Sequence, residues 1–169
     1  MFYAIQAATG NAITATYAGA APPATGWTAI SATLYAEIVP GSTWDGTAVH
    51  APPPPPAPTL AQQAAMALGA GLTITSTSAP ALNGIYACDD AAQARINRVY
   101  ALIQRAGGAA FPAALTSLPW PDKSGAMHTF ASVAEFLAFE TAVGDYVLVL
   151  DMIQATNSGT LPSSTVNIE

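Results

Sequence analysis

The chain has 169 residues, of which 51% are hydrophobic and only 8% charged, against roughly 25% charged in an ordinary soluble domain. That balance excludes disorder over most of the length, because disordered chains combine low hydrophobicity with high charge. Four basic residues stand against ten acidic ones, none of the four before Arg95, so there is no basic stripe to neutralise nucleic-acid phosphates.

From the N-terminus, Phe2 to Gln6 is rich in aromatic and β-branched residues and ends at a Thr9-Gly10-Asn11 turn. Ala12 to Tyr17 returns with alternating character, so the pair reads as a β-hairpin. Met1 leads straight into this pattern with no basic n-region, so no signal peptide is read. After the break at Ala21 to Gly26, Trp27 to Ile30 reads as a third strand. Ala32 to Ile38 fits either a helical turn or a strand. Trp44-Asp45-Gly46 makes a tight turn before a last short strand toward Val49. This half, residues 1–50, is a small β module. Phe2, Tyr3, Ile5, Trp27, Ile30, Tyr35 and Trp44 are expected to supply most of its core.

Residues 51–58 hold five consecutive prolines, which favour polyproline II. P-x-x-P spacing admits a ligand for an aromatic-lined groove, but the basic flank of such ligands is missing. A semi-rigid strut, rising about 3.1 Å per residue, is the favoured reading. Thr59 and Gln62 then stand at capping-box spacing and open an Ala-rich helix over Leu60 to about Leu68, stopped at Gly69.

Gly71 to Thr77 is a strand with Leu72 and Ile74 on one face. Asn83-Gly84 is the strongest hairpin signal, since both residues tolerate positive φ, and Ile85 to Cys88 would be the returning strand. Asp89 or Asp90 caps a helix reaching about Arg105 and ended by Gly107-Gly108. Ile96, Val99, Tyr100 and Ile103 share one face of it, with Arg95, Arg98 and Arg105 mostly off that face. Leu118 to Trp120 and Met127 to Phe130 form a second hairpin. Ser132 and Glu135 open the longest helix, to about Ala155, whose Phe136, Phe139, Val143, Tyr146, Val147 and Leu150 make a core-facing stripe. Leu137 and Leu148 lie off the stripe and either complete a deeply buried helix or touch another chain. Residues 157–169 are Ser/Thr-rich, with a short strand at Thr165 to Ile168, and read as an extension rather than part of the core. Apolar runs such as Tyr146 to Leu150 are far too short to span a bilayer.

Little in the chain carries chemistry. One cysteine, Cys88, excludes an internal disulfide framework and a cysteine-rich zinc site, and it reads as a packed residue. His50 and His128 lie in different modules without metal-ligand spacing, so neither a metal nor another cofactor is expected. No G-x-S-x-G elbow or phosphate-binding glycine loop is present. Asp89-Asp90 are adjacent and explained by capping. An enzyme would need a polar cleft, for which His128 and Asp122 are the available pair. Few charges also imply a surface covered by other chains. Trp44 and Trp120, at turns, and Leu137 and Leu148, on the long helix, are the candidate protein-contact residues, because interface hot spots favour large apolar and aromatic groups. Each tryptophan equally fits as a plug in its own module's core.

The order FYAIQAATG, a turn-rich stretch, WDG and a proline-rich joiner resembles small tail-associated proteins of tailed bacteriophages, including tail fibre assembly-type proteins and related virion accessory proteins. GLTITSTSAPALNGIYACDD and LPWPDKSGAMHTFASVAEFLAFETAVGDYV are similar to an uncharacterised domain found in the same setting. The resemblance implies a non-enzymatic accessory protein of a phage tail, made in the host cytoplasm and retained in the virion. It also implies other tail or fibre proteins as partners in a multi-copy assembly, with no nucleic acid or membrane among them. The alternative is an assembly chaperone that holds fibre subunits and then leaves. The expected fold is α+β: a β module, a polyproline strut, and an α+β domain over residues 59–156 with two hairpins and three helices.

Overall fold

The structure is a computed structural model that describes residues 1–7 and 12–169; the turn expected at Thr9-Gly10-Asn11 lies outside them. The protein is α+β. It folds as two units, Met1–Pro56 and Ala57–Glu169. The chain passes from one to the other within the proline run, where Pro53 to Thr59 are exposed.

In the first unit, β1 (Phe2–Ala7) is the central strand, flanked by β2 (Ile13–Gly19) and β3 (Thr28–Ile30), both antiparallel to it. Ala4 and Ile5 point to opposite faces and are both fully buried, because this strand is covered on each side. The ambiguous segment is helical: α1 (Ala32–Ala36) is capped by the Ser31 side chain, which accepts from Leu34 N–H. It sets the Tyr35 ring 4.9 Å from that of Tyr3. A two-strand ribbon, β4 (Thr43–Trp44) with β5 (Val49–His50), completes the unit. Of the expected core residues, Ile5 and Trp44 are buried, whereas Phe2, at the start of β1, is exposed.

In the second unit, α2 (Leu60–Ala70) carries the full capping box. Gln62 N–H donates to Thr59 Oγ1 at 3.2 Å and Thr59 N–H to Gln62 Oε1 at 2.8 Å. The helix runs through Gly69 and stops at Gly71, whose φ of 88° is the left-handed conformation glycine adopts freely. β6 (Leu72–Thr75) pairs antiparallel with β7 (Gly84–Tyr86). α3 (Asp90–Arg105) is capped by Asp89. β8 (Leu118–Pro121) and β9 (Met127–Phe130) form the second hairpin. Ser132 caps α4 (Val133–Thr156), while Glu135 reaches back one residue further than a capping box requires, to Ala131 N–H.

Two expectations are corrected here. Asn83-Gly84 is not a positive-φ hairpin turn. Asn83 is extended, with φ −64° and ψ 123°, after a 3-10 turn at Pro80–Leu82, and Gly84 begins β7. The connection is long, so the two-residue turn chemistry does not apply, and the Asn83 side chain instead accepts Ser76 N–H at 2.7 Å. Nor is the C-terminal segment an extension. β10 (Thr165–Asn167) pairs parallel with β6, giving sheet order β10-β6-β7, and Ile168 is buried in the core. Short strands at chain ends join a sheet when a free edge and an apolar residue coincide, and the sequence pattern does not show the edge.

The core lies between this sheet, the β8-β9 hairpin and α4. Trp120, Phe130, Phe136 and Phe139 stack in tilted and edge-on pairs with centroids 5.1–6.1 Å apart, and Tyr86 joins Phe139 at 4.8 Å. α2 packs along α4, where Tyr146 Oη donates to the Ala67 carbonyl. Asn157 ends α4 in the left-handed conformation and accepts Ala61 N–H from the first turn of α2.

Candidate functional site

Two places draw together side chains that could act beyond folding: a polar corner at the tip of the β8-β9 hairpin, and the outer surface of α3 and α4.

In the polar corner, Asp122 turns the chain between β8 and β9. Its Oδ1 accepts Ser124 Oγ at 2.7 Å and the backbone N–H groups of Ser124 and Ala126 at 2.8 and 2.9 Å. The Ser124 hydroxyl, with these amides, holds the Asp122 carboxyl below the usual carboxylate range. His128 Nδ1 donates to the Ala81 carbonyl at 2.7 Å. Its Nε2 is buried and lies 3.4 Å from Asp122 Oδ2, an ion-pair distance longer than a hydrogen bond. The sequence pairing of His128 with Asp122 is therefore met in space. The third member of a hydrolytic triad is not: Ser124 spends its hydroxyl on Asp122, not on the imidazole. Lys123, between them, donates to the Gly69 and Ala70 carbonyls at the C-terminal end of α2, and its N–H donates to Ile85. A cation at that helix end offsets the partial negative charge there. Bonds from Asp122, Lys123 and His128 Nδ1 fasten the hairpin within itself and to its neighbours, while among the described residues the buried His128 Nε2 is left without a hydrogen-bond partner.

His50 makes a second, exposed pair with Asp45, Nε2 to Oδ2 at 2.6 Å. Asp45 Oδ1 also accepts Thr47 and Ala48 N–H. The His50 bond, then those amides, hold the Asp45 carboxyl well below its usual range. These bonds close the β4-β5 turn. The thiol of Cys88 is buried, which pushes it up to about 11 and makes it a poor nucleophile. Among the described residues no three His, Cys, Asp or Glu side chains are grouped to hold a metal ion. Among the described residues no helix is long and apolar enough to cross a membrane.

The tryptophans expected as contact residues are plugs instead. Trp44 is 9% exposed and Trp120 6%; Trp120 stacks on Phe136 and Phe139, with the Arg95 guanidinium 5.7 Å above its ring. A turn position does not expose a ring that can fold back over its own hairpin. Leu137 is half-buried and packs against the second unit's own core. Leu148 is different, at 59% exposure, and Met152, one turn on, is equally exposed.

Leu148 belongs to a surface. α4 buries Phe136, Phe139, Val143, Tyr146, Val147, Leu150 and Ile153 on its inner side. On its outer side Val166–Glu169 border the first half, beside Leu137, Thr141 and Asp145. The second half of that side, with Leu148, Val149 and Met152, is open. Between α3 and α4 runs a shallow groove lined by Ile96 and Asn97 on one wall and Gly144, Val147, Leu148 and Asp151 on the other. Sequence reading found Leu148 from its position off the core stripe. It missed Val149 and Met152, although both are apolar residues off the core stripe, the same signal that marked Leu148.

No protein-family model matches this chain, and no curated protein or solved structure does either.

Proposed function

We propose that this chain is a non-enzymatic accessory protein of a bacteriophage tail or tail-fibre apparatus, retained in the virion, where it docks other tail proteins. The observation that carries the docking role is α4. Beyond its inner stripe, the second half of this helix presents Leu148, Val149 and Met152 to solvent, with Asp145 and Asp151 nearby. In this chain the outer side of its second half faces solvent, so another chain is the natural cover. A charge content of 8% fits a surface shared with neighbours. The polar corner supports the non-enzymatic part, since Ser124 gives its hydroxyl to Asp122 rather than to the imidazole and Lys123 is held by the carbonyls at the end of α2. The phage setting rests on the resemblance of the sequence, from its N-terminal FYAIQAATG to the long helix.

Quantitative mass spectrometry of purified particles of the encoding phage tests this reading. The chain is expected in fixed ratio to the tail proteins. Its presence in infected cells but absence from finished particles would instead make it an assembly chaperone.

A further inference from the structure

We infer that the groove between α3 and α4 takes one face of a helix from a partner protein, a helix whose apolar side chains are bracketed by cations. The inference rests on reading this part of the molecule as a docking surface, and it names the chemistry of the occupant. Charge and space select that chemistry.

The first observation is the distribution of charge. Buried Ile96 of α3 and Val143 and Val147 of α4 floor the groove. Glu140 and Asp151 also line it, both from α4. They are eleven residues apart, three turns of helix to within about 20°, so the two carboxylates follow one line about 16.5 Å long. No Lys, Arg or His lines the groove, and among the described residues neither carboxylate forms an ion pair. On α3, Arg95 is engaged over Trp120, and Arg98 does not line the groove. An apolar floor between two anionic points is complemented by a segment with apolar groups between two cations. A second copy is a poor match. It brings a further net charge of −6, and no two of its four cations stand eleven residues apart.

The second observation is space. Gly144 lines the groove between the two carboxylates, in the interior of α4. A β-carbon added to it would meet nothing within 4 Å. Glycine is a weaker helix former than alanine, and no contact among the described residues calls for it here. Its bare backbone allows close approach from outside the chain. The groove holds about 240 Å³, room for one stripe of side chains rather than for a whole helix. Exposed Leu148, one turn beyond Gly144, extends the apolar contact at the rim. A helix repeats its side chains at the spacing of α4 itself, so an amphipathic helix laid along the groove reaches both carboxylates at once. Apolar burial supplies most of the affinity and the ion pairs set orientation, since exposed ion pairs by themselves contribute little.

Fluorescence anisotropy with the full chain and two labelled, amidated helical peptides tests this. One peptide carries lysines eleven residues apart with leucines on the same face between them; the other has glutamates in place of the lysines. The lysine peptide is expected to bind saturably, with a dissociation constant below about 1 mM, and to weaken as salt rises. The glutamate peptide is expected not to bind. E140K/D151K should weaken the lysine peptide at least about tenfold and take up the glutamate peptide instead. Gly144→Ala should raise the thermal midpoint yet weaken binding, and Gly144→Leu should weaken it at least about tenfold by filling the groove. Circular dichroism establishes that each variant is folded. No saturable binding by the parent, equal binding of the two peptides, or a folded Gly144→Leu that binds as the parent does overturns the inference. Self-association of the parent that Gly144→Leu abolishes also overturns it, by making a second copy the occupant. None of these results bears on presence in the particle, which mass spectrometry decides separately.

Discussion

His128 stands over Gly84 so closely that a β-carbon added to the glycine would lie 3.0 Å from Nε2 and 3.2 Å from Cε1. The glycine therefore serves the histidine, not a turn. The imidazole bridges two connections: it donates to Ala81, just before Gly84, and it faces Asp122 at the hairpin tip. Its ring also packs 5.4 Å from that of Tyr86. A side chain at position 84 would press on all of this at once.

Gly84→Ala is expected to destabilise the second unit by about 1–3 kcal/mol, the range for overpacking a filled site. In a His128→Ala background the same change is expected to cost at least about 1 kcal/mol less, because the obstructing ring is gone. Urea unfolding of the four proteins reads this coupling. Equal costs in both backgrounds would place the role of Gly84 in its backbone alone.

Stability on the acid side is expected to depend on Asp122. The Ser124 hydroxyl, the Ala126 and Ser124 amides and the nearby imidazole hold its carboxyl below the ordinary value of 3.8. A carboxyl depressed in the folded state stabilises that state above its unfolded pKa, and the contribution is lost as pH falls through the folded value. Asp122→Asn should therefore be less stable than the parent at neutral pH, with the difference shrinking below about pH 4. Urea midpoints for both proteins from pH 7 to pH 2 measure it. A difference that stays constant across that span would contradict the assignment.

The C-terminal segment is expected to be required for the second unit. Ile168 is 6% exposed, its N–H donates to Thr75, and β10 pairs with β6. Ile168→Ala should cost about 2–5 kcal/mol, the range for truncating a core aliphatic side chain. Faster hydrogen exchange should follow throughout β6. If the denaturation midpoint and the exchange of Thr73 and Thr75 are unchanged, the segment is an appendage.

Much of this fold was legible in local pattern. Thr59 and Ser132 mark two helix starts to the residue, and Asp89 or Asp90 marks a third to within one, resolved as Asp89, because a side-chain oxygen meeting an orphan N–H is a contact within four residues. The inner stripe of α4, from Phe136 to Leu150, was legible from its period. Asn83-Gly84 misled because the same dipeptide serves a two-residue turn or, as here, an unrelated approach of two segments. Of the candidate contact residues, Leu148 is open, Leu137 half-covered, and both tryptophans are filled into cores. A large ring at a turn has no sequence signature separating an interface anchor from a plug.

The sequence by itself determined the α+β class, the starts of the three helices of the second unit to within a residue, and the β8-β9 hairpin, since each depends on residues a few positions apart. It also determined the charge balance, and with it the confinement of every cation to the second unit. Only the tertiary structure decided that β10 completes the β6-β7 sheet, that Gly84 makes room for His128, and that Leu148, Val149 and Met152 on α4 stay open. Those depend on which distant segments meet, and meeting is set by the filling of one core rather than by any local preference.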